Sequence, residues 1–276
     1  MTQIAVILGR VDDANKFRHE ATSARQEFVD EYVSANGRLV SDTQTAYALA
    51  ICFDLLSPSQ TTYAGKRLSE IINRNKFNIG TGFAGTPFVC EALARTGHVD
   101  AAYAMLLNDK CPSWLYPLTK GATTMWERWD SMLPDGSVNP GEMTSFNHYA
   151  FGTVAKFMVE RLAGLRCLEP GWRRARFEPK MEGPFTWGSA EHMTPYGKVS
   201  GSWSLSASRA RDTEGLFDVK IDVIVPPNTQ MEVVAPGQGC DGQSEVKVVG
   251  SGTWSFTGMH KKTSAWPVVE LPMLPF

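Results

Sequence analysis

The chain has 276 residues, 43% of them hydrophobic and 20% charged, with a formal net charge of −2. That length can bury a sizeable core in one large domain or two ordinary ones, and the near balance of charge excludes a nucleic-acid footprint or a polybasic membrane patch. Cys52, Cys90, Cys111, Cys167 and Cys240 stand far apart with no CxxC pair or Cys/His cluster, so neither a metal nor another cofactor is expected.

At the N-terminus, MTQIAVILGRVDDANKF has no basic region ahead of an apolar core, and no stretch is apolar over enough length to span a membrane. The chain as written is expected in the cytoplasm, with secretion the alternative if a leader precedes Met1. In DDANKFRHEATSARQEFVDEYV, Phe17, Ala21, Ala24, Phe28 and Tyr32 recur at helical spacing, with Asp12 as the expected N-cap. SDTQTAYALAICFDLL offers Ser41 and Asp42 as caps and is apolar nearly all round from Ala46 to Leu56, which marks a buried helix. A helix follows near residues 60 to 75 with Leu68, Ile71 and Ile72 on one face, then one from Gly85 to Ala94, then HVDAAYAMLL. The glycines of NIGTGFAGTP fit no phosphate loop, since no GK[ST] follows, and read as a tight turn ahead of a helix. After a loop region over 110 to 144, FNHYAFGTVAKFMVERLAGL reads as the last helix, packing through Phe146, Tyr149, Ala150, Phe157 and Leu162.

From about residue 176 the period becomes two. Phe217, Val219, Ile221, Val223 and Val225 alternate with Asp218, Lys220 and Asp222, and Val199, Trp203 and Leu205 alternate with serines. PPNT and APGQGCDGQ read as turns, and LEPGWRRARFEPK, punctuated by Pro170 and Gly171, as a hinge. A helical domain over 1–165 followed by a small antiparallel β-sandwich over 166–276 is the resulting expectation.

The chemistry gathers in CPSWLYPLTKGATTMWERWD and GEMTSFNHYAFG. Glu127 stands between Trp126 and Trp129, whose apolar surface disfavours the charged carboxylate, while Arg128 and His148 favour it. That opposition suits a carboxylate which takes or gives a proton near neutral pH. A structural ion pair of Glu127 with Arg128 or Lys120 accounts for the same residue types. On residue types His148 reads more often as a capping or packing histidine than as a ligand-binding one, and Trp114 as a sugar platform or a lid-packing ring.

TGFAGTP, GHVDAAYAMLLN, PSWLYPLTKGATTMWERWDS and PDGSVNPGEMTSFNHYAFGTV together resemble the C-terminal half of the catalytic barrel of α-L-rhamnosidases, family 78 of the glycoside hydrolases. WGSAEHMTPYGKVSGSWSL and IVPPNTQMEVVAPG are similar to that family's C-terminal β-sandwich. The resemblance implies part of an (α/α)6 six-hairpin toroid followed by the sandwich, and inverting cleavage of terminal α-L-rhamnose. By position, Glu127 resembles the general base, His148 the histidine bound to rhamnose hydroxyls, and Trp114, Trp126 and Trp129 the pocket wall. The family's general acid lies in an upstream block of the form DERxGWxGD, which these 276 residues do not contain. The chain is therefore expected to turn over little alone, with an N-terminal half-barrel partner or self-association covering its open helical faces. A non-catalytic rhamnose-binding module is the other reading. The expected ligand is a rhamnose-containing glycoside, with no nucleic-acid or membrane partner.

Overall fold

The computed structural model describes residues 1–207, 215–237, 244–263 and 266–272. They fall into two units, residues 1–98 with 271–272, and residues 99–270. The first unit holds α1 (Thr2–Ile7), α2 (Val11–Tyr32), α3 (Gln44–Cys52), α4 (Pro58–Arg74) and α5 (Thr86–Arg95). α3 is its core, with Tyr47, Ala48, Ala50 and Ile51 almost fully buried and with α4 and α5 packed against it.

Two caps differ from expectation. α2 starts at Val11 after Arg10, so Asp12 lies in the first turn rather than before it, where its charge suits the helix dipole. α3 is capped by Thr43, whose Oγ accepts from the Ala46 amide, instead of by Ser41 or Asp42. Asp42 is held by Arg67 at 2.6 Å and accepts the Tyr47 hydroxyl at 2.9 Å. The Arg67 guanidinium keeps the Asp42 carboxyl below the usual carboxylate range, and burial pushes the Tyr47 phenol up to about 12. α4 carries a capping box between Ser57 and Gln60 and presents Leu68 and Ile72 to the core, as its spacing predicts. NIGTGFAGTP forms the turn before α5, with the Gln44 side chain bonded to Asn78 O at 3.1 Å and to Gly80 N at 2.8 Å. On α2 the expected apolar stripe is largely uncovered: Ala21, Ala24 and Tyr32 face solvent, and Ala14 is the buried residue.

The second unit opens with α6 (Val99–Leu107) and α7 (Leu115–Thr119). Its next helical segment, α8, combines a 3-10 turn (Ala150–Thr153), an α turn (Val154–Phe157) and a π stretch (Met158–Ala163). Helix was expected from Phe146, but the residues before Ala150 pair with another loop, and Tyr149 is 85% exposed rather than packed. Gly164, at φ +96°, ends α8 in the left-handed conformation, and an added Cβ there would lie 2.5 Å from Pro179 N.

Among the described residues eight strands follow: β1 (Leu165–Cys167), β2 (Arg174–Phe177), β3 (Trp187–Thr194), β4 (Gly197–Ala207), β5 (Leu216–Val225), β6 (Gln230–Ala235), β7 (Glu245–Val249) and β8 (Gly252–Lys261). They form two sheets, ordered β1-β2-β6-β7 and β3-β4-β5-β8. The expected hinge is the β1–β2 hairpin of the first sheet, closed by Leu168 N to Arg174 O at 2.9 Å. β2 and β6 pair in parallel because the chain leaves β2, builds most of the second sheet, and returns beside it. The other ladders are antiparallel. Phe177, Trp203, Ile221, Met231 and Val233 fill the space between the sheets, as the period of two predicts for β4 and β5. The turn expected at APGQGCDGQ, with Cys240, lies mostly outside the described residues.

Candidate active site

The loop region between α7 and α8 is organised by a backbone pairing that helical or strand periodicity does not announce. Residues 124–127 lie against residues 145–148: Glu127 N donates to Ser145 O at 2.9 Å, His148 N donates to Met125 O at 2.8 Å, and the Thr124 hydroxyl donates to Phe146 O. The pairing brings the Glu127 carboxylate to the Ser145 amide, which donates to Oε2 at 3.2 Å. Glu127 and His148, 21 positions apart, are thereby carried on neighbouring backbone segments. Glu127 keeps partial exposure, so solvent or a ligand reaches it.

Neither cation considered as a structural partner of Glu127 serves that role. Arg128 turns to Asp130, Nε to Oδ1 at 2.8 Å, and its Nη1 donates to Glu142 O at 3.2 Å. The Asp130 carboxylate pushes the Arg128 guanidinium further up its basic range. Lys120 donates to Pro134 O at 2.7 Å. Asn139 extends the Arg128 arrangement by donating to Asp130 Oδ2 at 2.9 Å while its own Oδ1 accepts from Gly141 N at 2.9 Å. A Cβ at Gly141 would sit 2.7 Å from Arg128 Nη1, so the guanidinium would have to shift to make room for it. Met143 takes φ +58°, a left-handed value that a side-chain-bearing residue rarely adopts. The 139–145 loop is thus pinned against 127–131 at some conformational cost, and its far end delivers the Ser145 amide.

His148 Nδ1 accepts from the Ala150 amide at 3.3 Å. An imidazole nitrogen that accepts has no proton, so in the neutral ring the proton sits on Nε2. The His148 and Tyr149 rings are parallel within 5° at 5.5 Å. His148 precedes the helical segment instead of starting it as expected.

Of the three tryptophans, Trp114 and Trp126 are buried and Trp129 is partly exposed. Trp126 is 3% exposed and meets Phe146 edge-on at 5.1 Å, which clamps the 124–127 and 145–148 segments together. Trp114 is 6% exposed, donates from Nε1 to Phe151 O at 3.0 Å, and meets Trp129 edge-on at 5.8 Å. Trp129 stacks on Phe151 at 3.9 Å. With two of the rings covered by protein, their direct work is to seat the Glu127 loop on α8. Sequence reasoning missed Ser145, Asp130, Asn139 and Phe151. Only the N-x-G spacing of Asn139 and Gly141 hinted at a turn there.

Beneath Thr124 and Met125 lies an apolar cavity of about 300 Å³, lined by Leu106, Trp114, Leu118, Met158, Leu162 and Phe185 among others. It holds the underside of the loop and contributes no charged group.

A family model described as the bacterial alpha-L-rhamnosidase 6 hairpin glycosidase domain matches residues 1–162, and the bacterial alpha-L-rhamnosidase C-terminal domain matches residues 164–250. An α-L-rhamnosidase of Formosa agariphila is 38% identical over 234 residues, which is 84% of this chain and 24% of that protein. One from Streptomyces avermitilis is 37% identical over 239 residues, 87% of this chain and 22% of the relative. The chain spans about a quarter of the length of the curated relatives it matches. Among solved structures, native α-L-rhamnosidase from Aspergillus terreus superposes with a TM-score of 0.85 at 41% identity, covering 93% of this chain and 28% of that one. The Streptomyces avermitilis α-L-rhamnosidase complexed with L-rhamnose gives 0.84 at 35% identity, covering 93% and 25%.

Proposed function

The chain belongs to the bacterial alpha-L-rhamnosidase family, and from that premise we propose that it carries the base side of an inverting site for terminal α-L-rhamnosides. Its helices are part of the six-hairpin toroid, and its strands form the sandwich that follows; we place the division between the two near residue 165. The observation that carries the reading is the Glu127 carboxylate, left by both nearby cations and oriented by the Ser145 amide.

An inverting hydrolysis needs two carboxyl groups roughly 6.5–9.5 Å apart, one protonating the leaving oxygen and one drawing a proton from the attacking water. Glu127 is assigned the second task. As a carboxylate it accepts the water's proton while the water oxygen bonds to the anomeric carbon, and the Ser145 N–H on Oε2 leaves Oε1 directed to that water. His148, carried beside Glu127 by the same backbone pairing, is assigned a rhamnose hydroxyl. Trp114, Trp126 and Trp129 form the wall behind the site. The acid is assigned to a group outside these 276 residues, in a longer chain or a second one.

The open helical surface favours that division of labour. Ile4, Val6, Ile7, Leu8 and Val11, along α1 and the start of α2, are 54–82% exposed, and exposed apolar side chains grouped on one segment suit a partner surface. A complementary half-barrel, or a second copy, is the proposed cover. If cleavage never occurs, the same residues make a rhamnose-binding module.

The test is an NMR titration of the 276-residue chain with L-rhamnose. Saturable shifts are expected at the amides of Glu127, Ser145 and His148, at millimolar affinity or better, and are lost in His148→Ala. Absence of shifts at high sugar overturns the reading. An assay with an aryl α-L-rhamnoside is expected to show little turnover by the chain alone; robust turnover refutes the external acid.

A further inference from the structure

The sandwich offers a second surface with its own chemistry. Trp187, Ser204, Lys220 and Thr257 are direct partners across β3, β4, β5 and β8, so they form one row on a single face of that sheet. The opposite face carries Trp203, Ile221 and Phe256 into the core. Outward-facing serines and threonines are ordinary for the wet face of an antiparallel sheet. Trp187 is not. It is 68% exposed on the edge strand, while the core of the sandwich is closed by other residues.

Beside it the sheet is hollowed into a groove of about 350 Å³, lined by Ser204, Ser206, Asp218, Lys220, Thr257 and Met259. The lining charges are one anion and one cation, so the groove has no bias toward a charged ligand. Lys220 is further held to Asp222 at 2.7 Å. Strands lie about 4.8 Å apart, so the row from Trp187 to Thr257 is roughly 14 Å long, more than one pyranose ring.

We propose that this face of the β3-β4-β5-β8 sheet is a binding surface for a neutral glycan, with Trp187 as its stacking platform. An indole presents an apolar face to the C–H groups of a sugar ring. The hydroxyls of Ser204, Ser206 and Thr257 both donate and accept, matching sugar hydroxyls, and Lys220 and Asp218 add a strong donor and a strong acceptor. The surface would hold the polymer while the Glu127 site engages its terminal sugar. Only the choice of sugar rests on the rhamnoside reading.

The experiment is affinity electrophoresis of the 276-residue chain in native gels containing a rhamnan, a neutral polymer of L-rhamnose, with polygalacturonate and a second neutral glycan, a β-glucan, as comparisons. Retardation by the rhamnan or the β-glucan, but not by polygalacturonate, is expected. Trp187→Ala is expected to bind about tenfold more weakly, the effect of losing one aromatic stack, and Ser204→Glu, which fills the groove, to do the same. Both positions are outside the core, so circular dichroism should be unchanged. Glu127→Gln and His148→Ala should remain retarded. Unaltered retardation of Trp187→Ala, retention by polygalacturonate alone, or no retardation by either neutral glycan overturns the proposal. Retardation by the β-glucan with no L-rhamnose response at His148 would remove the rhamnoside reading and leave the surface standing.

Discussion

Around Glu127, electrostatics and backbone geometry have separate duties. Glu127 takes its orientation from a peptide N–H, while Arg128, next in sequence, spends its charge on Asp130 and on the Glu142 carbonyl. Arg128 therefore acts on the proposed base only through the 139–145 loop. Arg128→Ala is expected to raise amide hydrogen exchange at Ser145 and Gly141 several-fold, with the global unfolding midpoint nearly unchanged, because the pair is more than a third exposed and screened by solvent. Arg128→Lys should restore little, since an ammonium lacks the planar fork that reaches Asp130 and the carbonyl together. Exchange rates equal to wild type in Arg128→Ala would show that the loop is held by other means. The residue types around Glu127 were legible in the sequence; their partners were not. Ion pairing is decided by which loop folds back onto which, here by the 139–145 loop lying against 127–131.

At the scale of the element, boundaries depended on competition between local propensity and neighbours. The apolar residues of FNHY suggested helix, but residues 145–148 satisfy their backbone groups on 124–127 instead. The end of α8 was marked by Gly164, and its consequence reaches further than a helix stop. Its left-handed φ turns the chain directly into β1, and Glu178 N donates to its carbonyl at 2.8 Å. Gly164→Ala should destabilise the sandwich by about 1–3 kcal/mol, through both the unfavourable φ and the collision with Pro179. A urea midpoint equal to wild type would contradict this. The stripe of α2 shows the converse. Its helical spacing was correctly read from sequence, yet Ala21, Ala24 and Tyr32 remain uncovered, because spacing reports a face and says nothing of what packs on it.

For the whole molecule, stability against acid follows from carboxylates held by cations. Burial opposes ionisation of Glu178, but Lys180, Arg176 and Arg166 outweigh it and keep its carboxyl below the ordinary range. Asp42, bonded to Arg67, is shifted the same way. A carboxyl whose folded pKa is depressed stabilises the fold above its unfolded value, about 4, and that contribution disappears as pH falls through the lower folded value. The urea midpoint should therefore be level from pH 7 to pH 5 and decline below about pH 4. Glu178→Gln is expected to lower it at pH 7 and to converge on wild type in acid. A gap between the two proteins that stays constant with pH would show that Glu178 is not the group responsible.

The sequence by itself determined the helical character of α2 to α6 and the extended character of β4 and β5, because periods of 3.6 and two report burial on one face directly. Its motif blocks also determined the family, since WERWD and SFNHY are specific at their spacing. Tertiary structure alone decided that β2 and β6 run parallel, that Trp114 and Trp126 are buried, and that the Ser145 amide meets Glu127. Those are contacts between distant or non-periodic residues. No local pattern encodes them, because their energy is gained only once the intervening chain has been brought back.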